Sequence, residues 1–227
     1  MYKICIKLTI LTFLILPISS KAHVQHYDNL KRIEFDIYRN NNHIGKHIFS
    51  FNKKNDILEV ESEINFEIKK LGVVLYKYHV KGTEYYKDGK LIKFNSKTNQ
   101  NGKNKYVNLV TKENKLLIDG SSFKGEVSDE YLLGTWWNHS IVKAEAQISA
   151  VSGRIIKQKV SFLGKEKLNL GNKTYNTLHF NFSSTDENLS KDKKLNTDVW
   201  YDEKTFNWVK ASFKKKGNWE YRLVIIE

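Results

Sequence analysis

Several histidine and carboxylate spacings in this sequence come near to known chemistries. Glu59, Glu61 and Glu63 alternate with apolar residues, so on a strand they share one face with neighbours about 6.6 Å apart. That is close to the carboxylate separation of inverting glycosidases. The same row also reads as a solvated face answered by lysines on adjacent strands, which is the stronger reading. Asp198 and Asp202 flank Trp200, and on a straight strand they would stand about 13 Å apart, too far to cooperate directly. His43 and His47 have a spacing that ligates metal on a helix, but Asn41-Asn42 and Gly45 argue for a hairpin. There they too would be about 13 Å apart. One metal set remains. Cleavage after Ala22 would leave His23 with an α-amine and an imidazole, and His26 nearby, a nitrogen set that suits copper. The plainer reading is a chain end with incidental histidines. Cys5 is the only cysteine and falls within the expected leader, so thiolate and disulfide chemistry are excluded from the mature chain. Gly120-Ser121-Ser122 reads as a turn. The sequence contains no nucleophile elbow, P-loop, dinucleotide fingerprint or paired-histidine zinc motif, and no resident cofactor is expected.

Such groups need elements to position them, and the first segment is not one of those elements. Lys3 and Lys7, the apolar run Leu8–Ile18 and the small residues of Ser20-Lys21-Ala22 predict a cleaved secretory signal over residues 1–22. The run is short for a bilayer span, which takes roughly 20 apolar residues. No second run of that length follows, so no stable transmembrane segment is expected after cleavage. The remaining 205 residues, 23–227, fit one domain. The formal charge is +13, of which Lys3, Lys7 and Lys21 contribute three, leaving +10. The excess is almost all lysine, with arginine only at positions 32, 39, 154 and 222. Nucleic-acid recognition leans on arginine forks, so that class is set aside. The excess suits anionic lipid or acidic polymer, or exposed positions simply filled with Lys and Asn.

Period-two alternation dominates the mature chain. From Leu58 to Ile68 one face reads Leu58, Val60, Ser62, Ile64, Phe66, Ile68 and the other Glu59, Glu61, Glu63, Asn65, Glu67, the pattern of a half-buried strand. Comparable strands are predicted at Arg32–Arg39, Ile44–Phe51, Val73–Tyr86, Leu91–Lys97, Lys105–Thr111, Lys115–Ile118, Arg154–Leu163, Thr174–Phe182, Thr197–Tyr201, Asn207–Phe213 and Trp219–Ile226. Asn55-Asp56, Asp88-Gly89, Asn101-Gly102, Gly171-Asn172 and Gly217-Asn218 punctuate them, as tight hairpins require. The fold class is therefore all-β, an antiparallel meander, sandwich or barrel. Residues 128–147 break the alternation and predict an insertion with one or two short helices, started at Ser128 or Thr135, lying over or plugging a curved sheet. Ser183–Leu195 is polar and reads as a loop.

Three segments carry a family resemblance: Gly134-Thr135-Trp136-Trp137-Asn138; Gly153-Arg154-Ile155 leading through Val160 to Leu163-Gly164-Lys165-Glu166; and Val199-Trp200-Tyr201-Asp202 followed by Lys216-Gly217 and Tyr221-Arg222-Leu223. Over roughly residues 130 to 225 the chain resembles the secreted bacterial family called domain of unknown function 6134, itself similar to domain of unknown function 3108. His139 and Ser140 stand where that family would place a proline-containing helix start. The resemblance implies a strongly curved antiparallel sheet, an open half-barrel like the periplasmic lipoprotein carrier, with a helix against its concave side. It also implies the periplasm of a diderm bacterium. It supplies no activity and no catalytic residues.

Three functional readings follow. The first is a non-enzymatic binding or carrier module for a hydrophobic or anionic lipid-like ligand, with Tyr131, Trp136, Trp137, Trp200 and Trp208 as candidate lining residues. Phe66, Tyr76, Tyr78, Phe180 and Trp219 could join them, and all would equally fill a solid core. The second is an envelope-assembly module whose sheet edge or basic surface meets another protein. The third is a carboxylate-based hydrolase.

Overall fold

The computed structural model describes Tyr27 and residues 29–227. The leader and the candidate metal ligands His23 and His26 lie outside the described residues. Eight strands follow one another as a meander: β1 (Arg32–Arg39), β2 (Asn42–Lys54), β3 (Ile57–Lys70), β4 (Val73–Lys87), β5 (Lys90–Gln100), β6 (Lys103–Lys112), β7 (Lys115–Gly120) and β8 (Lys124–Ser128). A short β9 (Leu132–Leu133), a 3-10 helix (His139–Lys143) and β10 (Ala146–Ile148) come next. The long β11 (Ile155–Leu170), β12 (Lys173–Ser184), β13 (Asn196–Asp202), β14 (Trp208–Lys214) and β15 (Asn218–Ile226) complete the chain. All fifteen strands join one sheet in the order β8-β7-β6-β5-β4-β3-β2-β1-β15-β14-β13-β12-β11-β10-β9. β8 and β9 are its two edges and the sheet is not closed into a barrel.

The strands form where the alternation predicted them. In β3, Leu58, Val60 and Ser62 are buried while Glu61 and Glu63 are exposed. Hairpin turns fall on residues that accept a positive φ, among them Asn40-Asn41, Asn55, Asp88-Gly89 and Asn101-Gly102. Because successive strands reverse direction, the connections alternate between two ends of the sheet. The apical end carries the β1–β2, β3–β4, β5–β6, β12–β13 and β14–β15 connections. The basal end carries β2–β3, β4–β5, β6–β7, β11–β12 and β13–β14.

The irregular insertion over 128–147 is there with one short helix, which starts at neither Ser128 nor Thr135. Ser128 ends β8, with its hydroxyl accepting the Glu130 amide at 3.2 Å. The only helical turn in the insertion is the 3-10 helix, capped by Asn138, whose side chain accepts the Ser140 amide at 3.0 Å. Its Ile141 is fully buried in the core, on the concave side of the sheet. The twelve residues between β9 and β10 act as a crossover, and those two strands pair in parallel, the one exception to the antiparallel rule. This crossover plugs the curved sheet. Gly134 leaves room there for the Gln147 side chain, whose Oε1 would lie 2.2 Å from a Cβ at that position and would have to move aside.

Candidate functional site

Below the plug the concave side is packed, and a cavity interrupts the packing at mid-height, between that basal core and an apical aromatic cluster in which Phe66 meets Tyr76, Tyr78 and Trp219. In the basal half Trp137 is fully buried, edge-on to Tyr27 (5.1 Å), Phe51 (5.3 Å) and Tyr86 (5.5 Å). Its Nε1 donates to Glu84 Oε1 at 2.9 Å, and the Tyr86 hydroxyl donates to Glu84 Oε2 at 2.5 Å. Desolvation raises the Glu84 carboxyl to about 7, against the lowering effect of hydrogen bonds from Tyr86, Trp137 and Thr135. Sequence reading passed over Glu84. Its only signal was a charge on the apolar face of a strand, between Gly82 and Tyr86.

The cavity exists because small residues coincide. Ser62 on β3, Gly82 on β4 and Ser96 on β5 are in register with one another, so three adjacent strands present almost no side-chain volume at one level. Above this row lies a cavity of about 200 Å³ lined by His47, Ser62, Ile64, Val80, Phe94, Trp136 and residues 149–151 of the β10–β11 connection, among others. Ile64, Ile156 and Leu195 on its lining are half-buried, at its mouth. The β10–β11 connection is tied to the wall by Ser96 Oγ donating to the Ala150 carbonyl at 2.5 Å, and the plug by the Tyr201 hydroxyl donating to the Trp136 carbonyl at 3.0 Å.

Two polar groups in this mostly apolar lining have no protein partner. His47 is buried, with Nε2 3.0 Å from Ser62 Oγ, but its Nδ1 is unmatched. Trp136 Nε1 is unmatched as well. Trp208, 1% exposed and edge-on to Trp136 at 5.6 Å, has a third unpartnered Nε1 nearby. Each such group costs about 1–3 kcal/mol when buried. Trp136 also has a φ of 61°, a left-handed conformation costing of order 1–2 kcal/mol in a non-glycine residue. Unmet polarity and a strained backbone residue thus both occur at the cavity, although unmatched buried atoms are also found at Arg39 Nε, His179 Nε2 and Asn207 Oδ1.

His47 and Ser62 invite comparison with a hydrolytic pair. Burial lowers the imidazole to about 3, leaving little driving force for removing a hydroxyl proton near neutral pH. Nothing orients Nδ1, the role a carboxylate fills in a triad.

The sequence-predicted lining residues separate. Trp136 lines the cavity, Trp208 packs behind it, and Trp137 belongs to the basal core. Tyr131 is half-buried in the β8–β9 connection, packed against the core. Trp200 lies on the other face of β13 from Val199 and Tyr201, stacked on His179 at 4.2 Å with Lys210 over its ring. On that face His179 also meets Glu166 at 2.9 Å and Asp198 at 3.5 Å, while Asp202 caps the β13–β14 turn. His43 pairs with Asp36 at 3.3 Å and Glu63 with His79 at 2.9 Å, so neither the His43/His47 nor the glutamate spacing gathers into a site. Among the described residues no group of three or more metal-ligating side chains is assembled.

No curated protein matches the chain. Among solved structures it is similar to a beta-barrel-like protein of the family Domain of Unknown Function DUF1849 from Brucella abortus, with a TM-score of 0.59 and 8% identity, covering 87% of this chain and 97% of that one. That likeness concerns the fold alone. The family described as Domain of unknown function (DUF6134) matches residues 35–224; the match takes in the amino-terminal strands as well as the three segments that carried the resemblance, and the protein belongs to this family.

Proposed function

We propose that this protein is an exported, periplasmic binding or carrier module, without catalytic activity of its own, for a small and mainly apolar ligand bearing a hydrogen-bond acceptor. The observation that carries this reading is the pair of unmatched nitrogens, His47 Nδ1 and Trp136 Nε1, in a mostly apolar cavity whose other polar side chains include Ser62, Ser96 and Gln147. A ligand oxygen there would meet the indole N–H, and its apolar body would lie along Ile64, Val80 and Phe94 towards the mouth. Size narrows the class. About 200 Å³ exceeds the roughly 150 Å³ apolar cavity that admits benzene, and falls short of the roughly 300–1,000 Å³ of drug-sized sites. The cavity accepts a ring or the end of an acyl chain, not a whole lipid. The lysine excess favours anionic members of the class.

The test is native mass spectrometry with thermal denaturation across short fatty acids, their alcohols and aromatic carboxylates. Retained adducts and a raised Tm that disappear in Ala150→Leu, which fills the cavity, would support the reading. No adduct and no stabilisation across the whole series, with the cavity residues intact, would refute it.

A further inference from the structure

The apical end differs from the basal end in two independent ways. The first is the β3–β4 tip. The other two-residue hairpin turns at Asn40-Asn41, Asn55-Asp56, Asp88-Gly89, Asn101-Gly102, Glu113-Asn114 and Gly171-Asn172 all use polar residues or glycine. The β3–β4 turn is Leu71-Gly72, with φ values of 50° and 80°. Leu71 is 96% exposed, in a backbone conformation that leucine adopts at a cost, and Gly72 beside it has nothing within 4 Å of the Cβ position. Val73, Val74 and Leu75 continue the exposure at 62%, 38% and 55%, so both faces of the projecting ribbon are apolar.

The second is charge. Exposed Lys69 and Lys70 flank the tip, and Lys103 begins the strand after the next apical turn. Lys214, Lys215 and Lys216 form the β14–β15 turn, and Lys191, Lys193 and Lys194 lie in the β12–β13 loop. These connections are neighbours: Asn40 exchanges hydrogen bonds with Asn218, and Asp192 feels both Lys193 and Lys215. The acids present include Glu67, held by Lys69 and Lys77 at 3.1 Å, Glu220, held by Arg222 at 2.7 Å, and Asp186, Glu187 and Asp192 in the loop. At the basal end lysines and acids interleave turn by turn, as in Lys87 with Asp56 at 2.7 Å.

We infer that the apical end docks on an anionic lipid bilayer, with the Leu71–Leu75 ribbon entering the headgroup boundary and the lysine ring resting on the phosphates. An apolar projection ringed by like-charged lysines is complementary to an interface that is apolar below and anionic above. A soluble protein surface offers that combination rarely, and water gives no return for a leucine in the left-handed region. The cavity lies further down the sheet, with Ile64 seven residues before the Leu71 tip. The docking surface stands whether or not the cavity takes a ligand.

The test is co-sedimentation of the full chain with phosphatidylcholine vesicles, with and without phosphatidylglycerol. Any contribution of the leader is common to all variants, so the comparison among them isolates the tip. The expected result is binding that needs phosphatidylglycerol and weakens with salt. Leu71→Asp should lower partition about tenfold or more, and Lys69→Gln and Lys70→Gln about fivefold each, with Tm unchanged or raised in all three. Partition unchanged in Leu71→Asp, or indifference to phosphatidylglycerol, would overturn the inference. So would a protein partner lost in Leu71→Asp while vesicle binding persists.

Discussion

Glu84 and His47 should impose opposite pH dependences on stability that cancel in the wild-type protein and appear when either is removed. Burial holds His47 neutral, lowering its pKa from 6.5 to about 3. The unfolded chain therefore binds a proton that the folded one does not, and stability falls as pH drops below 6.5. Burial raises Glu84 from 4.5 to about 7, so between those values the folded chain holds a proton that the unfolded one has lost. Here stability rises as pH drops. Each pKa unit is worth about 1.36 kcal/mol, so from pH 6.5 to 4.5 each group contributes about 2.7 kcal/mol, with opposite signs. Urea denaturation followed by tryptophan fluorescence at pH 4.5, 5.5 and 6.5 reads the balance, and subtracting the wild-type curve removes every other titrating group. Glu84→Gln keeps an acceptor for Trp137 and should lose about 2–3 kcal/mol on acidification relative to wild type. His47→Gln should gain a similar amount, and the double variant should return to the wild-type slope. Parallel profiles for Glu84→Gln and wild type would mean that the carboxyl is not held protonated by burial, and the reasoning would fail.

Trp137→Ala removes the ring that Tyr27, Phe51 and Tyr86 enclose, and should cost about 3–5 kcal/mol in the same denaturation experiment. Leu71→Asn places a residue tolerant of positive φ at the β3–β4 tip and should stabilise the isolated protein by about 1 kcal/mol, read as a higher urea midpoint with an unchanged m-value. Gly82→Ala would set a Cβ 3.1 Å from Phe94 Cε2, tight in a filled core but relieved if the ring can shift into the cavity it lines. With the loss of glycine's unfolded-state freedom, the net change should lie between neutral and about 1 kcal/mol stabilising; a clear loss of stability would show that Phe94 has nowhere to go.

Local pattern made the sheet legible. The strand at Arg32–Arg39 has its predicted bounds, and other strands extend a few residues beyond theirs because ladder hydrogen bonds continue past the last alternating apolar residue. The 128–147 segment was legible as an interruption but not in its form. A dense aromatic run such as Tyr131, Trp136 and Trp137 carries no period, and here tertiary ties decide the backbone: Tyr201 holds the Trp136 carbonyl and Glu84 holds the Trp137 indole. Neither partner is close in sequence. Trp200 was misleading for a related reason. As the most apolar residue on its face it resembled a core residue, yet it is buried at 7% exposure by His179, Glu166 and Lys210 on the other side of the sheet.

The cavity was out of reach of any one-strand reading. A single serine or glycine at an inward position is unremarkable, and Ser62, Gly82 and Ser96 are separated by 20 and 14 positions in the chain. Only the register of β3 against β4 and β4 against β5 brings them to one level, and a slip of one residue would turn each to the other face. The adjoining rows are instead large: Val60 and Phe94 flank Glu84 on one side, and Ile64 faces Val80 on the other. A core that could have been filled with apolar volume is left open at one level, where the unmatched nitrogens of His47 and Trp136 also lie. Unmatched buried atoms occur elsewhere too, at Arg39 Nε, His179 Nε2 and Asn207 Oδ1, but the nitrogens of His47 and Trp136 stand beside a cavity on the concave side, and that conjunction is what a bound ligand carrying an acceptor would answer.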